Sequence, residues 1–124
     1  MIDFANASFF KLSAVGNGTY ANLVSPLLVQ GEGIISTYKG IRDGVVFTNK
    51  RIMAINVQGL TGTKKDVTSL PYSKIQAFSV ESAGVLDWDS ELDLWFSGLG
   101  KVRFEFTKNA NVSAICRTIS DFVL

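Results

Sequence analysis

The sequence predicts a mainly β domain of the α+β class. Seven antiparallel strands form a curled sheet or barrel, a C-terminal helix caps one end, and a helical extension precedes the strands. Three observations carry this expectation. From residue 31 onward, short runs rich in Val, Ile, Phe and Thr are cut by turn signals. Within 101–107, Val102, Phe104 and Phe106 alternate with Lys101, Arg103 and Glu105. After Asn109-Ala110-Asn111 the apolar period changes from two residues to about 3.6.

The 124 residues fit one domain, since domains most often run about 100–150 residues. Apolar types make up 47% and charged types 19%, which suits a packed core rather than a disordered chain. A composition shift divides the chain into an N-terminal helical extension, 1–30, and a body, 31–124. His is 0, which excludes histidine acid–base chemistry, histidine metal ligands and Ser-His-Asp or Cys-His nucleophiles. Cys is 1, so neither an internal disulfide nor a thiolate cluster can form. The net charge of +1 is no footprint for nucleic acid or an anionic membrane.

The first residues carry Asp3 where a secretory signal needs a base, and Asn6, Ser8 and Lys11 interrupt the apolar stretch. No run approaches the 18 or so apolar residues of a spanning helix. A cytoplasmic protein is expected, so the acceptor-like triplets at Asn6, Asn17 and Asn111 are read as chance.

In the extension, Tyr20, Leu23, Leu27 and Leu28 recur at helical spacing, with Pro26 set to kink or restart the helix. Strands are predicted at 34–39, 45–48, 51–57, 65–70, 75–81, 92–97 and 101–107. Asn49-Lys50 makes a two-residue hairpin loop. All connections but 82–90 are short, which implies an antiparallel meander. For the last two strands, pairing Asp93 with Arg103 and Trp95 with Lys101 is preferred, because a shift by one pair opposes Asp93 to Glu105. The third strand is apolar on both faces: Ile52 and Ala54 on one, Met53, Ile55 and Val57 on the other. One face fills the core. The other needs a cover, either the N-terminal helix or another subunit. In the final helix, Asn109-Ala110-Asn111 offers an N-cap, and Val112, Ile115, Cys116, Ile119, Phe122 and Val123 form one apolar stripe. Cys116 reads there as a small core hydrophobe.

Seven strands followed by a capping helix is the pleckstrin-homology (PH) pattern. The run 31–52, GEGIISTYKGIRDGVVFTNKRI, resembles the bacterial PH-like domain family, as do Leu70-Pro71-Tyr72-Ser73-Lys74-Ile75 and Glu91-Leu92-Asp93-Leu94-Trp95-Phe96. The resemblance covers about residues 20–124 and implies a PH-like barrel without catalytic residues or cofactor. It also implies self-assembly into a closed homo-oligomeric ring, which would act as a scaffold for an unidentified protein partner.

Two sets of candidate site residues follow. Trp95 and Asp93, on the polar face of their strand, and Arg42 are candidate oligomer contacts, because a large outward aromatic suits an interface. A covering N-terminal helix is the alternative for Trp95. Lys39, Arg42, Lys50 and Arg51 match the place where phosphoinositide-binding PH domains carry a basic cluster. They define the alternative function, a monomeric module for an anionic headgroup or acidic peptide. Asp43 among them and the short Gly40–Gly44 loop favour a solvated turn. Lys64-Lys65 after Gly59-Leu60-Thr61-Gly62 lacks the spacing of a phosphate loop. Asp87, Asp89 and Glu91 could hold a metal for hydrolysis, but the calcium-loop Gly and Glu are absent, so no metal site is expected. Trp88 in the same stretch is a second aromatic of unassigned role.

Overall fold

A computed structural model describes residues 1–5, 9–59, 61–82 and 89–124. The Asn6 triplet, Leu60, Asp87 and Trp88 therefore lie outside the described residues. The order of elements is β1 (Ser13–Val15), α1 (Ala21–Val24), β2 (Ile34–Lys39), β3 (Gly44–Thr48), β4 (Arg51–Gln58), β5 (Lys64–Pro71), β6 (Ile75–Ser82), β7 (Ser90–Phe96), β8 (Gly100–Phe106) and α2 (Val112–Val123). Antiparallel pairing gives two sheets, β1-β2-β3-β4-β5 and β6-β7-β8. Asp93 lies opposite Arg103 and Trp95 opposite Lys101, the register that the charges select.

Two expectations need correction. There are eight strands rather than seven, and the sheets do not close into a barrel. The added strand comes from the segment expected to be helical. Residues 9–12 hydrogen-bond β8, with Glu105 N to Phe9 O at 2.8 Å and Leu12 N to Glu105 O at 3.0 Å. The chain then pairs with β2 as β1, Ala14 opposite Tyr38. Phe9 packs edge-on to Phe104, and Leu12 is fully buried. Exposed backbone on β2 and β8 and an aromatic floor beneath outweigh local helix preference. At the other seam, β5 and β6 part at a 3₁₀ turn, Tyr72–Lys74, and no ladder joins them among the described residues.

Helical structure in the extension is one α-turn followed by a 3₁₀ turn, Ser25–Leu27, with Pro26 near its start. The buried set is Tyr20 and Val24, with Leu23 and Leu28 packed beside them, while Leu27 is 46% exposed. Pro26 ends the first turn, so the predicted stripe does not continue through Leu27. This turn covers Val46, Met53 and Ile55 on the outer face of the five-stranded sheet. The second apolar face of β4 is thus covered by its own chain. The other face, Ile52 and Ala54, joins the main core with Phe47, Leu92, Leu94, Phe104 and Ile119.

Asn111 caps α2, its side-chain oxygen accepting from Ala114 N at 3.0 Å. Ile115 and Ile119 seal the core, at about 1.5–3 kcal/mol for each fully buried aliphatic side chain. Cys116 is only half-buried, and Phe122, 41% exposed, stacks on Tyr72 at 5.2 Å. The core stripe is therefore narrower than its sequence pattern. Among the described residues, no helix is long and apolar enough to cross a membrane.

Candidate functional site

The outer face of the three-stranded sheet presents three cross-strand rows: Ala77–Trp95–Lys101, Ser79–Asp93–Arg103 and Glu81–Glu91–Glu105. Trp95 is 37% exposed, Asp93 only 9%. Arg103 grips Asp93 with both arms, Nε to Oδ1 at 2.7 Å and Nη2 to Oδ2 at 2.9 Å, and its Nη1 reaches Glu91 at 3.4 Å. Hydrogen bonding from Arg103 holds the Asp93 carboxyl below its ordinary value. Glu105 moves the other way: burial, then Asp89 and Glu91, push its carboxyl up. Asp89 and Glu91 thus stand beside a third acid. Among the described residues, no group of three His, Cys, Asp or Glu side chains is arranged to hold a metal ion.

Arg42, the third candidate contact, sits on the β2–β3 loop of the other sheet, where its Nη2 donates to Gly59 O at 2.9 Å. The four candidate anion-binding cations are divided. Lys39 and Arg42 lie at one end of β3, Lys50 and Arg51 at the other, and five strand residues separate the ends by about 15 Å. Arg51 is committed elsewhere. It bonds both Glu32 oxygens at 2.9 Å, Leu27 O at 2.6 Å and Ser69 Oγ at 3.0 Å. Lys50 is exposed in the turn.

Lys39 and Arg42 instead line a cleft of about 460 Å³ with Lys65, Thr19, Asn22 and Tyr20. The chain folds this way because Gly44 lets Tyr20 lie flat on the sheet; a Cβ there would overlap the phenol ring. Burial, then Asp43, push the Tyr20 hydroxyl up, and among the described residues this buried hydroxyl has no hydrogen-bond partner. Asp43 accepts from Asn56 Nδ2 at 2.9 Å and from Val57 N at 3.2 Å.

A second cleft, about 470 Å³, opens at the unjoined seam between β5 and β6. Leu70, Ile75, Phe96 and Leu99 give it an apolar lining. Ile2 is buried beside it and donates its N–H to Thr68 Oγ1 at 3.1 Å.

Sequence reasoning passed over Glu32, and it weighed Lys65 only as part of a phosphate loop, which it rejected. Burial pushes the Glu32 carboxyl up, but hydrogen bonds from Arg51, Thr48 and Val29 N outweigh it and bring the value down to about 2. A signal was present, because Glu32 is the only charged residue between Lys11 and Lys39. For Lys65 no local pattern pointed to this cleft, since its place there depends on how α1 folds back.

The family model described as "Bacterial PH domain" matches residues 3–123. The uncharacterized protein YjqA of Bacillus subtilis (strain 168) is 41% identical over 117 residues, covering 93% of this chain and 90% of YjqA. The crystal structure of a DUF1696 family protein with a pleckstrin-homology domain from Shewanella loihica PV-4 superposes with a TM-score of 0.81. It is 39% identical, over 93% of this chain and 99% of that one. A pleckstrin homology domain from Shewanella amazonensis SB2B gives a TM-score of 0.69 at 40% identity, over 96% and 93% of the two chains. With two antiparallel sheets, a C-terminal helix and a matching family model over nearly its whole length, the chain belongs to the bacterial PH domain family.

Proposed function

We propose that the protein is a non-catalytic cytoplasmic scaffold whose copies assemble head-to-tail into a closed homo-oligomeric ring. The observation that carries this reading is the open seam: among the described residues no ladder joins the unlike edges of β5 and β6, which stand beside an apolar cleft. Joining the β5 edge of one copy to the β6 edge of the next satisfies backbone groups that a lone subunit leaves to water. Because the two edges differ, the contact is heterologous, and it closes into a ring where the rotation allows. Antiparallel addition brings the Lys64 end of β5 to the Glu81 end of β6, opposite charges together. Trp95 and Asp93 on one sheet and Arg42 on the other are the outlying contact residues. Partner proteins bind the faces of the ring.

Light scattering after size exclusion, at two protein concentrations, tests this. A discrete multiple of 13.5 kDa that persists on dilution is expected. Lys64→Glu and Glu81→Lys should each lower the mass and their combination restore it, while Trp95→Asp should lower it alone. A single 13.5 kDa species at both concentrations removes the ring.

A further inference from the structure

We infer that residues 1–5 form an autoinhibitory strap on β5, which must lift before the β5 edge accepts a strand from a second copy; this rests on the head-to-tail assembly proposed above and gives it a control point. The strap is held on the first half of β5. The Ile2 amide donates to Thr68 Oγ1 at 3.1 Å, and the α-amino group of Met1 pairs with Asp66 Oδ2 at 3.2 Å. The Thr68 hydroxyl in turn donates to Asp66 Oδ1 at 2.7 Å, so one linked pair of side chains receives both strap contacts. The Ile2 side chain, 3% exposed, enters the main core, and Phe4 stacks on Phe9 at 5.8 Å.

The strap stands where the neighbour's strand has to come. Met1 lines the seam cleft together with residues of β5 and β6. Thr68 lies opposite Ala54 and Leu70 opposite Ile52, so Asp66, Thr68 and Leu70 share the inner face of β5. An added strand runs about 4.8 Å from β5 and turns its own apolar residues toward that same core. In β6 those residues are Phe78 and Val80. Ile2, bonded to Thr68 and buried beside it, fills this lane, so strap and added strand exclude one another.

The contacts are of a kind that yields. The strap meets β5 through side-chain oxygens, and among the described residues it forms no ladder with it. A neighbouring β6 replaces these contacts with a run of backbone hydrogen bonds. Lifting the strap gives up the burial of Ile2, which sets a concentration threshold for assembly. On a lone subunit the strap also shields an edge that would otherwise pair with any exposed strand.

The test follows the Ile2 methyl groups by NMR and the mass by light scattering, on the full chain across a concentration series. In the assembled wild type the Ile2 methyls should take random-coil positions. In Glu81→Lys subunits at 13.5 kDa they should take the positions of buried groups. Thr68→Val keeps a β-branched strand residue but leaves the Ile2 amide without its acceptor. Added to Glu81→Lys, it should lower the concentration of half-assembly about fivefold, the scale of one net hydrogen bond. Asn111→Ala, which weakens the fold at α2, should leave that concentration unchanged. Ile2 methyls in buried positions in both forms, a threshold that Thr68→Val does not move, or an equal drop in Asn111→Ala overturns the strap and leaves the ring standing. A wild type that stays at 13.5 kDa throughout removes the standing ring. The strap is then upheld where Ile2→Ser with Thr68→Val assembles, and overturned where that variant also stays at 13.5 kDa.

Discussion

Replacing Glu32 by Gln tests the electrostatic joint between the N-terminal segment and the sheet. The Glu32 side chain is fully buried, pairs with Arg51 at 2.9 Å and accepts from Thr48 Oγ1 at 2.7 Å and Val29 N at 3.0 Å. Its carboxyl titrates at about 2 rather than the ordinary 4.5. A folded-state value below the unfolded one stabilises the fold above the unfolded value, and that stability is lost as pH falls through the folded one. The difference corresponds to at most about 3 kcal/mol at neutral pH. Arg51 keeps 21% of its side chain in water and so recovers part of its solvation in the variant. Glu32→Gln should therefore destabilise by about 2–3 kcal/mol at pH 7, by about half that near pH 3.3, and hardly at all near pH 2. Urea unfolding at fixed protein concentration measures this, because the proposed assembly would make stability concentration-dependent. Hydrogen exchange at the Val29 amide, which bonds Glu32, should quicken at neutral pH. A stability difference that stays constant from pH 7 to 3 would refute the reasoning, since a packing defect does not titrate.

Gly44→Ala should destabilise by about 1–3 kcal/mol, the cost of overpacking, and loosen α1 because the added Cβ overlaps Tyr20; thermal unfolding and exchange at Leu23 and Val24 report both effects. Asn111→Ala removes the cap of α2 and should cost about 1 kcal/mol in urea unfolding. Glu105 has the opposite sign from Glu32: its raised value favours the protonated fold below the unfolded value, and that advantage is lost as pH rises through the folded one. Glu105→Gln should then stabilise at neutral pH by about 0.5 kcal/mol, the scale of a like-charge cross-strand pair, and the gain should vanish in acid.

The body was legible because its signals are local. Strict alternation in β8 and charge pairing with β7 fix a register, and Asn111 with its downstream period fixes a helix. Residues 9–15, expected to be part of a helical extension, are extended because their partners lie far along the chain. Phe9 and Leu12 bond Glu105, and Val15 pairs with Thr37. No local pattern encodes which backbone will be left unpaired. The same limit divided the basic quartet. Lys39 and Arg42 are close in sequence to Lys50 and Arg51, but one strand carries the two pairs to opposite ends, while Lys65, more than twenty positions on, lies with the first pair.

Two sequence features argued for self-assembly, the doubly apolar third strand and the outward Trp95, and the fold separates them. The strand is covered in cis: Met53 and Ile55 are fully buried beneath Tyr20, Leu23 and Val24, so no second subunit is needed there. Trp95 keeps over a third of its surface exposed, and among the described residues no ladder joins the β5 and β6 edges, although Met1 and Ile2 hold the Asp66–Thr68 part of β5 through side-chain contacts. The case for assembly thus rests on edges rather than on an apolar face, and the two positions should respond differently to substitution. Val24→Ala, which opens space in the covered cluster, should cost about 2 kcal/mol of stability and leave the mass of the native species unchanged. Lys64→Glu, at an exposed edge position, should lower the mass with less than about 0.5 kcal/mol of effect on a dissociated subunit. Light scattering and urea unfolding on the two variants separate these effects; a loss of mass in Val24→Ala at concentrations where it remains folded would return the interface to the α1 face.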